Sequence, residues 1–302
     1  MKRLALITLC LAQFITLPLP VKAQQAPYSI SMRSEAEPFA QNAQTLDIYV
    51  VPLLGADCMV LRCGGQWMLV DMGDIGNHEQ VMTVLSALGI EHIDLAFNTH
   101  PHADHIGGMP LLLEAISVGR FVTTYPPDYT GPGVRQESVI RALGSAGVPV
   151  EMMIDGNRFS LGGAAFQVMK TDEKSTNATS AVLHLRFGNT TLLLAADVDR
   201  PEQYLLSKKY DLKADILKYP HHGLGELDKL FMADVDPDFA FFTHGSINTK
   251  GAQQLLDNHD IPYMFATWGV IHLKSNGERW ILDQAVSEEA QNFRAYKDRL
   301  SP

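Results

Sequence analysis

Residues 98–108 read Asn-Thr-His-Pro-His-Ala-Asp-His-Ile-Gly-Gly, and this stretch governs the interpretation of the whole chain. Its six residues from 100 to 105 include His100, His102, Asp104 and His105. Imidazole and carboxylate groups are the ligands that zinc and similar divalent metals prefer. Because His100 and His102 are two residues apart, their side chains can converge on one ion. Asp104 and His105 follow a turn and can reach a second ion. A solvated loop would explain one such side chain, but four predict a two-metal site.

The residues before this loop predict how it is positioned. An apolar run at 93–97 predicts a buried strand that ends where the ligands begin. Asn77 is predicted to cap a helix that Gly89 ends. Apolar runs between 46 and 70 predict a β-meander. A strand-helix-strand unit with polar groups at the carboxyl end of its second strand is typical of active sites in α/β folds.

The second half of the chain supplies further candidates. Asp197 directly follows the apolar run 192–196. Burial of an unpaired carboxylate is costly, so Asp197 is predicted to meet a cation. His221 and His222 follow a predicted strand at 214–219. Adjacent side chains diverge in an extended backbone, so only one of the two is predicted to bind metal. His221 is favoured as the ligand and His222 as a supporting group or proton donor, with the order left open.

These motifs resemble the metallo-β-lactamase superfamily, whose signature is His-x-His-x-Asp-His. Four motifs spaced over about residues 45 to 280 are most similar to the soluble domain of ComEC-type competence proteins and their free-standing relatives. The resemblance implies an α/β fold, a four-layer αββα sandwich. It also implies that Asp197 bridges two metals and that Asp57 and Asp71 lie close behind the ligands.

The chain departs from the superfamily at one ligand. Most members supply a third histidine to the first metal from a turn before the strand that here begins near Ser180. Residues 174–180 contain no histidine. ComEC-type members are similar to this chain in having an asparagine three residues before a serine, as Asn177 and Ser180 are. His184 is the nearest histidine, but it lies too far into the strand. We therefore expect two protein histidines, Asp197 and extra water at the first metal, with weaker metal loading.

The predicted chemistry is hydrolysis. A metal with an open coordination position lowers the pKa of its bound water from 15.7 to about 7. Asp104 would orient the nucleophile while binding metal, and His222 could protonate the departing oxygen. Two zinc ions are the predicted cofactor, with manganese or iron as alternatives. Gly-x-Ser-x-Gly, Walker and dinucleotide motifs, which would suggest other mechanisms, are absent from the sequence.

Three functions are compatible with these motifs. The favoured one, by resemblance, is hydrolysis of phosphoester or phosphodiester bonds in a small-molecule or polymer-derived ester. The second is hydrolysis of a lactone, lactam or other acyl bond at the same site. The third is a metal-binding or ligand-binding scaffold without turnover. The motifs do not indicate an oligomeric state.

The N-terminal residues predict that the protein is exported. Lys2-Arg3, an apolar stretch to Leu19 and a small residue at Ala23 predict a signal peptide at 1–23 and a periplasmic or secreted protein. A polar leader (24–44), the hydrolase domain (45–284) and a charged tail (285–302) are expected to follow, with no membrane span in the mature chain. Removal of the signal would take away three basic residues and no acid, so the formal charge of −10 would become −13. Such a charge disfavours nucleic acid as a partner.

Overall fold

The structure is a computed structural model that describes residues 30–171, 177 and 179–285. The predicted signal peptide and residues 286–302 of the predicted tail lie outside this part of the chain. None of the helices within it has the length and apolar character needed to cross a bilayer.

The described residues form eighteen strands and seven α-helices. The strands are β1 (Ile30–Met32), β2 (Leu46–Val50), β3 (Met59–Cys63), β4 (Gln66–Val70), β5 (His92–Ile93), β6 (Leu95–Asn98), β7 (Ser117–Val118), β8 (Phe121–Thr123), β9 (Val150–Met152), β10 (Arg158–Leu161), β11 (Ala164–Met169), β12 (Val182–Phe187), β13 (Thr190–Leu194), β14 (Ile216–Lys218), β15 (Phe239–Phe242), β16 (Tyr263–Phe265), β17 (Ile271–Ser275) and β18 (Trp280–Gln284). The helices are α1 (His78–Ala87), α2 (Ala103–Ile106), α3 (Met109–Ala115), α4 (Gln136–Ser145), α5 (Arg200–Lys209), α6 (Lys229–Val235) and α7 (Lys250–Asp257).

Two large sheets organise these elements. The first has nine strands in the order β1-β18-β17-β2-β3-β4-β6-β8-β9, and the second has seven strands from β10 to β16 in chain order. Apart from the parallel pair β1 and β18 at one edge, antiparallel pairs in each sheet are followed by parallel pairs. The parallel pairs include β4 with β6 and β13 with β14. A short pair, β5 and β7, lies apart.

The buried side chains define four layers. Ile48 and Leu61 of the first sheet pack in one core with Leu183 and Leu194 of the second. The other face of the first sheet packs against α1, α3 and α4 through a separate apolar cluster. A third cluster joins the second sheet to α5, α6 and α7. The predicted αββα sandwich is confirmed.

Parallel pairing brings the predicted ligand loops to one edge of the sandwich. Asp71 follows β4, and the histidine loop follows β6. In the second sheet, the ends of β13, β14 and β15 lead to Asp197, the His221-His222 pair and Thr243. Because the carboxyl ends of parallel strands lie side by side, motifs distant in sequence become neighbours.

Two local predictions need correction. The predicted leader contributes a strand, because β1 pairs in parallel with β18 and places Ile30 opposite Trp280. The predicted cap of α1 is also wrong in detail. Asn77 precedes the helix, but its side chain accepts a hydrogen bond from the Asp74 backbone and makes none to the helix. Asp74 accepts in return from Gly76, so the two side chains stabilise a 3-10 turn before α1.

Candidate metal centre

The loop after β6 brings the first four predicted ligands together. After Asn98 the chain turns so that the Nε2 atom of His100 lies 3.2 Å from the Nδ1 atom of His102. His102 precedes α2, whose first turn carries Asp104 and His105. His100 and His105 are fully buried, whereas the Asp104 carboxylate is partly exposed. The loop therefore combines two buried imidazoles with a carboxylate that reaches the surface.

Asp197 is the residue around which the two halves of the chain meet. One oxygen of its buried carboxylate, Oδ2, lies 3.3 Å from the Nε2 atom of His105 and 3.4 Å from that of His222. The same oxygen lies 3.9 Å from the Nε2 atoms of His100 and His221. A single carboxylate oxygen is therefore surrounded by four imidazole nitrogens from two separate motifs.

The donor groups fit a divalent metal ion. Asp57, His105, Asp197 and His222 are all buried, and their ligand atoms lie within 4.8 Å of one another. Asp104 adjoins this cluster, because its Oδ2 atom lies 3.1 Å from the Nε2 atom of His222. Within the described residues, the buried Nε2 atom of His105 has no hydrogen-bond partner. Imidazole nitrogens and carboxylate oxygens are the ligand set of zinc and related metals.

Asp71 fixes the ring of His105 from behind. Its Oδ2 atom lies 2.7 Å from His105 Nδ1 and accepts a hydrogen bond from the Thr99 hydroxyl at the same distance. Its Oδ1 atom accepts from the backbone of Thr99 at 2.8 Å and from the Asn98 amide at 3.0 Å. A carboxylate that orients a histidine in this way is common behind metal ligands. The implied position of Asp71 matches this contact.

Asp57 orients the ring of His222 in the same way and also pairs with a buried lysine. The Oδ1 atom of Asp57 lies 3.0 Å from His222 Nδ1 and accepts from the Thr243 hydroxyl at 2.6 Å. Its Oδ2 atom lies 2.5 Å from the Nζ atom of Lys218, which is also 3.6 Å from Asp197. Lys218 is fully buried and donates to the Ala196 carbonyl at 2.9 Å.

Lys218 and Thr243 are site residues that were not predicted from the sequence. The available signal for the lysine was a charged residue between Leu217 and Tyr219, at the end of an apolar strand. Such a residue needs a counter-charge when it is buried. The Asp57 and Asp197 carboxylates provide it.

The electrostatics of the centre follow from these contacts. Burial alone would lower the pKa of His105, but Asp197 and Asp71 raise it to about 10. Burial would likewise lower the pKa of His222, yet Asp197 and Asp57 raise it well above its ordinary value. Burial would raise the pKa of Asp197, but His222 and His105 hold it well below its usual range. The centre therefore favours an ionised Asp197 carboxylate and positive charge on the two imidazoles beside it.

The backbone at His221 and His222 is not extended, and that expectation is wrong. Both residues are left-handed, with φ and ψ of 51° and 48° at His221 and of 57° and 2° at His222. Gly223 follows with a φ of 103°, and a Cβ atom there would lie 2.5 Å from the ring of Phe242. This tight turn directs both imidazoles toward Asp197.

The two histidines differ in burial and in the acids that they face. His222 is the buried member that faces Asp104, whereas the ring of His221 is partly exposed. Asp57 lies against the Nδ1 atom of His222, and Asp104 and Asp197 face its Nε2 atom. The Nε2 atoms of both histidines face the Asp197 carboxylate, so the favoured order, with His221 as ligand and His222 as supporting group or proton donor, stays a prediction.

The turn before β12 lies against the centre although it contains no histidine. The Ser180 hydroxyl accepts a hydrogen bond from the backbone of Asp197 at 3.2 Å and donates to the carbonyl of Asn177 at 2.7 Å. The next backbone amide, that of Ala181, donates to the carbonyl of Thr99 at 2.9 Å. His184 lies elsewhere, with its Nε2 atom 2.9 Å from the carbonyl of Lys213.

Comparison with known families agrees with this geometry. The model of the metallo-beta-lactamase superfamily matches residues 51–244, which include every candidate ligand. The chain belongs to the metallo-beta-lactamase superfamily. The expected family is therefore confirmed. The superfamily contains metal-dependent hydrolases, and the buried cluster of Asp57, His105, Asp197 and His222 could hold a divalent metal ion.

Curated relatives match parts of the chain. ComE operon protein 3 of Bacillus subtilis is 30% identical over 187 residues, which are 59% of this chain and 24% of that protein. Zinc phosphodiesterase ELAC protein 1 of Bos taurus is 42% identical over 97 residues, or 32% of this chain and 26% of that protein. The matched region thus spans about a quarter of each relative. The predicted similarity to ComEC-type proteins is confirmed.

Solved structures share the fold at low identity. The metallo-beta-lactamase fold protein YhfI of Bacillus subtilis aligns with a TM-score of 0.52 and 15% identity, over 74% of this chain and 96% of that one. CmlA, a diiron beta-hydroxylase of Streptomyces venezuelae, aligns with a TM-score of 0.51 and 16% identity, over 75% of this chain and 53% of that one. These likenesses concern the fold alone.

Proposed function

We propose that this superfamily member is an exported hydrolase of phosphoester or phosphodiester bonds that works with two metal ions. The observation that carries this proposal is the position of Asp197, whose Oδ2 atom lies between 3.3 and 3.9 Å from the Nε2 atoms of four histidines. One oxygen shared by two groups of imidazoles is the arrangement that a bridging carboxylate needs. Export rests on residues 1–23 of the sequence.

The chain's own residues divide between the two ions. His105, His222 and Asp104 would hold one ion, because Asp104 lies 3.1 Å from His222 Nε2 and 3.7 Å from His105 Nε2. His100 and His102 would hold the other, and Asp197 would belong to both. When bound, the ions would make hydroxide available near neutral pH and polarise the ester. Zinc is the favoured metal for this set of imidazoles and carboxylates, with manganese or iron as alternatives.

Several residues would support the reaction by holding ligands and water in position. Asp71 and Asp57 hold the rings of His105 and His222 in place, which keeps both Nε2 atoms directed at the centre. Asp104 is partly exposed, so its carboxylate can orient an attacking water while it binds metal. The burial of His100 and His105 excludes bulk water from the far side of the centre. The substrate would therefore approach past Asp104.

The choice of a phosphoester as substrate rests on the chemistry of two-metal centres and on sequence similarity. A two-metal centre suits in-line displacement at phosphorus, since each ion can stabilise one of the two oxygens that change charge. A zinc phosphodiesterase is among the matched relatives. The formal charge of −10 disfavours long polyanions, so we propose a small or polymer-derived ester in preference to nucleic acid.

The test combines metal content with a substrate screen. The protein without residues 1–23 would be loaded with zinc, measured by mass spectrometry for bound metal and assayed on bis(p-nitrophenyl) phosphate and on a panel of lactones. We expect two ions per chain and diester hydrolysis that chelators abolish. Asp197→Asn should lower kcat/KM by more than ~100-fold, since loss of groups behind the ligands alone costs 10–100-fold.

Other outcomes separate the competing functions. Activity on lactones without activity on phosphodiesters would replace the proposal with acyl-bond hydrolysis. Two tightly bound ions without activity on either class would favour a metal-binding scaffold. A protein that binds no divalent metal would overturn the proposal altogether.

A further inference from the structure

We infer that His221 and His222 bind different metal ions, so that His221 supplies the ligand that the turn before β12 lacks. This inference rests on the two-metal centre proposed above and completes the ligand set of its first ion. Each ion would then have three ligands of its own, with Asp197 shared. The expected weak loading of the first ion would not apply.

The positions of the two rings support this division. His222 lies on the side of Asp104, with its Nε2 atom 3.1 Å from the Asp104 carboxylate. His221 approaches the same Asp197 oxygen at 3.9 Å, the distance at which His100 also lies. The two rings are 6.0 Å apart between centroids and inclined by 66°. Adjacent histidines thus meet one oxygen from different directions.

The backbone explains how neighbours in sequence can do this. Consecutive residues in a strand point to opposite faces, whereas His221 and His222 both have positive φ angles. Left-handed backbone is unfavourable for residues other than glycine and asparagine, and it concentrates at functional sites. The turn is held by hydrogen bonds from the His221 amide to the Ala196 carbonyl at 2.9 Å and from the Leu224 amide to the His221 carbonyl at 2.8 Å.

The second nitrogen of His221 also faces an acid. Its Nδ1 atom lies 3.9 Å from the Asp199 carboxylate, while Nε2 faces Asp197. A ligand histidine commonly has a carboxylate on its other nitrogen, as His105 has Asp71 and His222 has Asp57. The His221 ring is partly exposed, so it lies where the first ion would meet solvent. Asp199 thus lies on the far side of the His221 ring, at a longer distance than the 2.7 and 3.0 Å at which Asp71 and Asp57 lie from the other two rings.

The decisive variant is His221→Gly, because glycine accepts the left-handed backbone and removes only the imidazole. Zinc and cobalt would be added to metal-free protein, and bound metal would be counted by mass spectrometry after gel filtration. We expect two ions in the natural protein and one in His221→Gly. Free imidazole should restore the second ion, since the ring lies at the surface. Circular dichroism would verify folding.

Matched controls identify the source of any loss. His184→Ala removes a histidine that is hydrogen-bonded away from the centre and should leave two ions bound. In the His221→Gly background, Asn177→His places an imidazole in the turn where the superfamily provides one, and it should restore the second ion.

Two results would contradict us in different ways. Two ions held by His221→Gly with unchanged dissociation constants would overturn the role of His221 and leave the proposed function standing. Fewer than two ions in the natural protein would overturn the two-metal proposal itself. If His221→Gly failed to fold, His221→Asn, which also tolerates positive φ, would be measured with the same expected loss.

Discussion

Lys218 shows how a single buried residue can organise a candidate metal centre. Its ammonium group is fully buried 2.5 Å from Asp57 and 3.6 Å from Asp197. Burial alone would lower the pKa of Lys218, but the two carboxylates raise it, so the group keeps its charge. Asp57 in turn orients His222. The lysine therefore helps to fix two acidic groups of the centre before any metal binds.

Replacement of this lysine should destabilise the metal-free protein. We predict that Lys218→Met lowers the free energy of unfolding by about 3–5 kcal/mol, because it leaves buried carboxylates without their partner. Urea unfolding of metal-free protein would measure the change. The double variant Lys218→Met with Asp57→Asn should lose less than the sum of the two single changes.

The matched control is a lysine at the surface. Lys213 pairs with Asp236 at 2.8 Å, but both side chains are exposed. Lys213→Met should change the free energy of unfolding by no more than about 1 kcal/mol. A loss of similar size in the two lysine variants would show that the buried pair has no special role in stability.

At the scale of strands and helices, the pairing of β2 with β17 includes a buried carboxylate with a perturbed pKa. Asp47 lies 2.9 Å from His272 Nε2, accepts from the Thr45 hydroxyl at 2.9 Å and is 3.6 Å from Lys274. Burial would raise the pKa of Asp47, but these partners lower it below its ordinary value of 3.8. The ionised carboxylate is thus favoured in the folded protein.

This lowered pKa predicts an acid-dependent loss of stability. A carboxyl group with a lower pKa in the folded state stabilises the protein above the unfolded value of 3.8 and loses that effect as the pH falls through the folded pKa. Asp47→Asn should therefore cost about 1–3 kcal/mol at pH 7 and progressively less below about pH 4. Urea unfolding at pH 7, 5 and 3.5 would measure this trend.

An exposed helix pair provides the comparison. Glu137 and Arg141 pair at 2.9 Å on the surface of α4, and Glu137→Gln should change the free energy of unfolding at pH 7 by less than about 0.5 kcal/mol. A cost of Asp47→Asn that stayed constant from pH 7 to pH 3.5 would contradict the assignment of this carboxylate as a source of acid sensitivity.

Much of the architecture was predictable because its patterns are local. Apolar runs that end in His100 or Asp197 mark strands that deliver ligands, because a polar group at the end of a buried strand is costly unless it finds a partner. β1 was not predictable, since it is three residues long and pairs with β18, about 250 positions away in the chain. The left-handed turn at His221 was also missed, because its form depends on close contact of Gly223 with Phe242.

Considered as a whole, the molecule draws its candidate ligands from both sheets. His100 and His105 follow a strand of the first sheet, whereas Asp197 and His222 follow strands of the second. A metal that binds only the folded arrangement stabilises the whole domain by mass action. Metal binding and global unfolding should therefore be linked.

The linkage between metal binding and unfolding has a measurable size. Zinc at 100 times its dissociation constant should raise the free energy of unfolding by about 2.7 kcal/mol for each ion bound. Thermal unfolding with and without a chelator would show the difference as a shift in Tm. Asp197→Asn, which lacks the shared ligand, should show a much smaller shift, whereas equal shifts in both proteins would mean that the metal binds elsewhere.

The hydrogen bonds that hold His105 on Asp71 and His222 on Asp57 have a consequence for maturation. The chain's own carboxylates hold these imidazoles in place, so the candidate metal-binding site is formed as soon as the polypeptide has folded. Assembly can then proceed in two separate stages, first the scaffold and afterwards the inorganic part. A protein built in this way can fold empty and acquire its ions afterwards from whatever supply surrounds it.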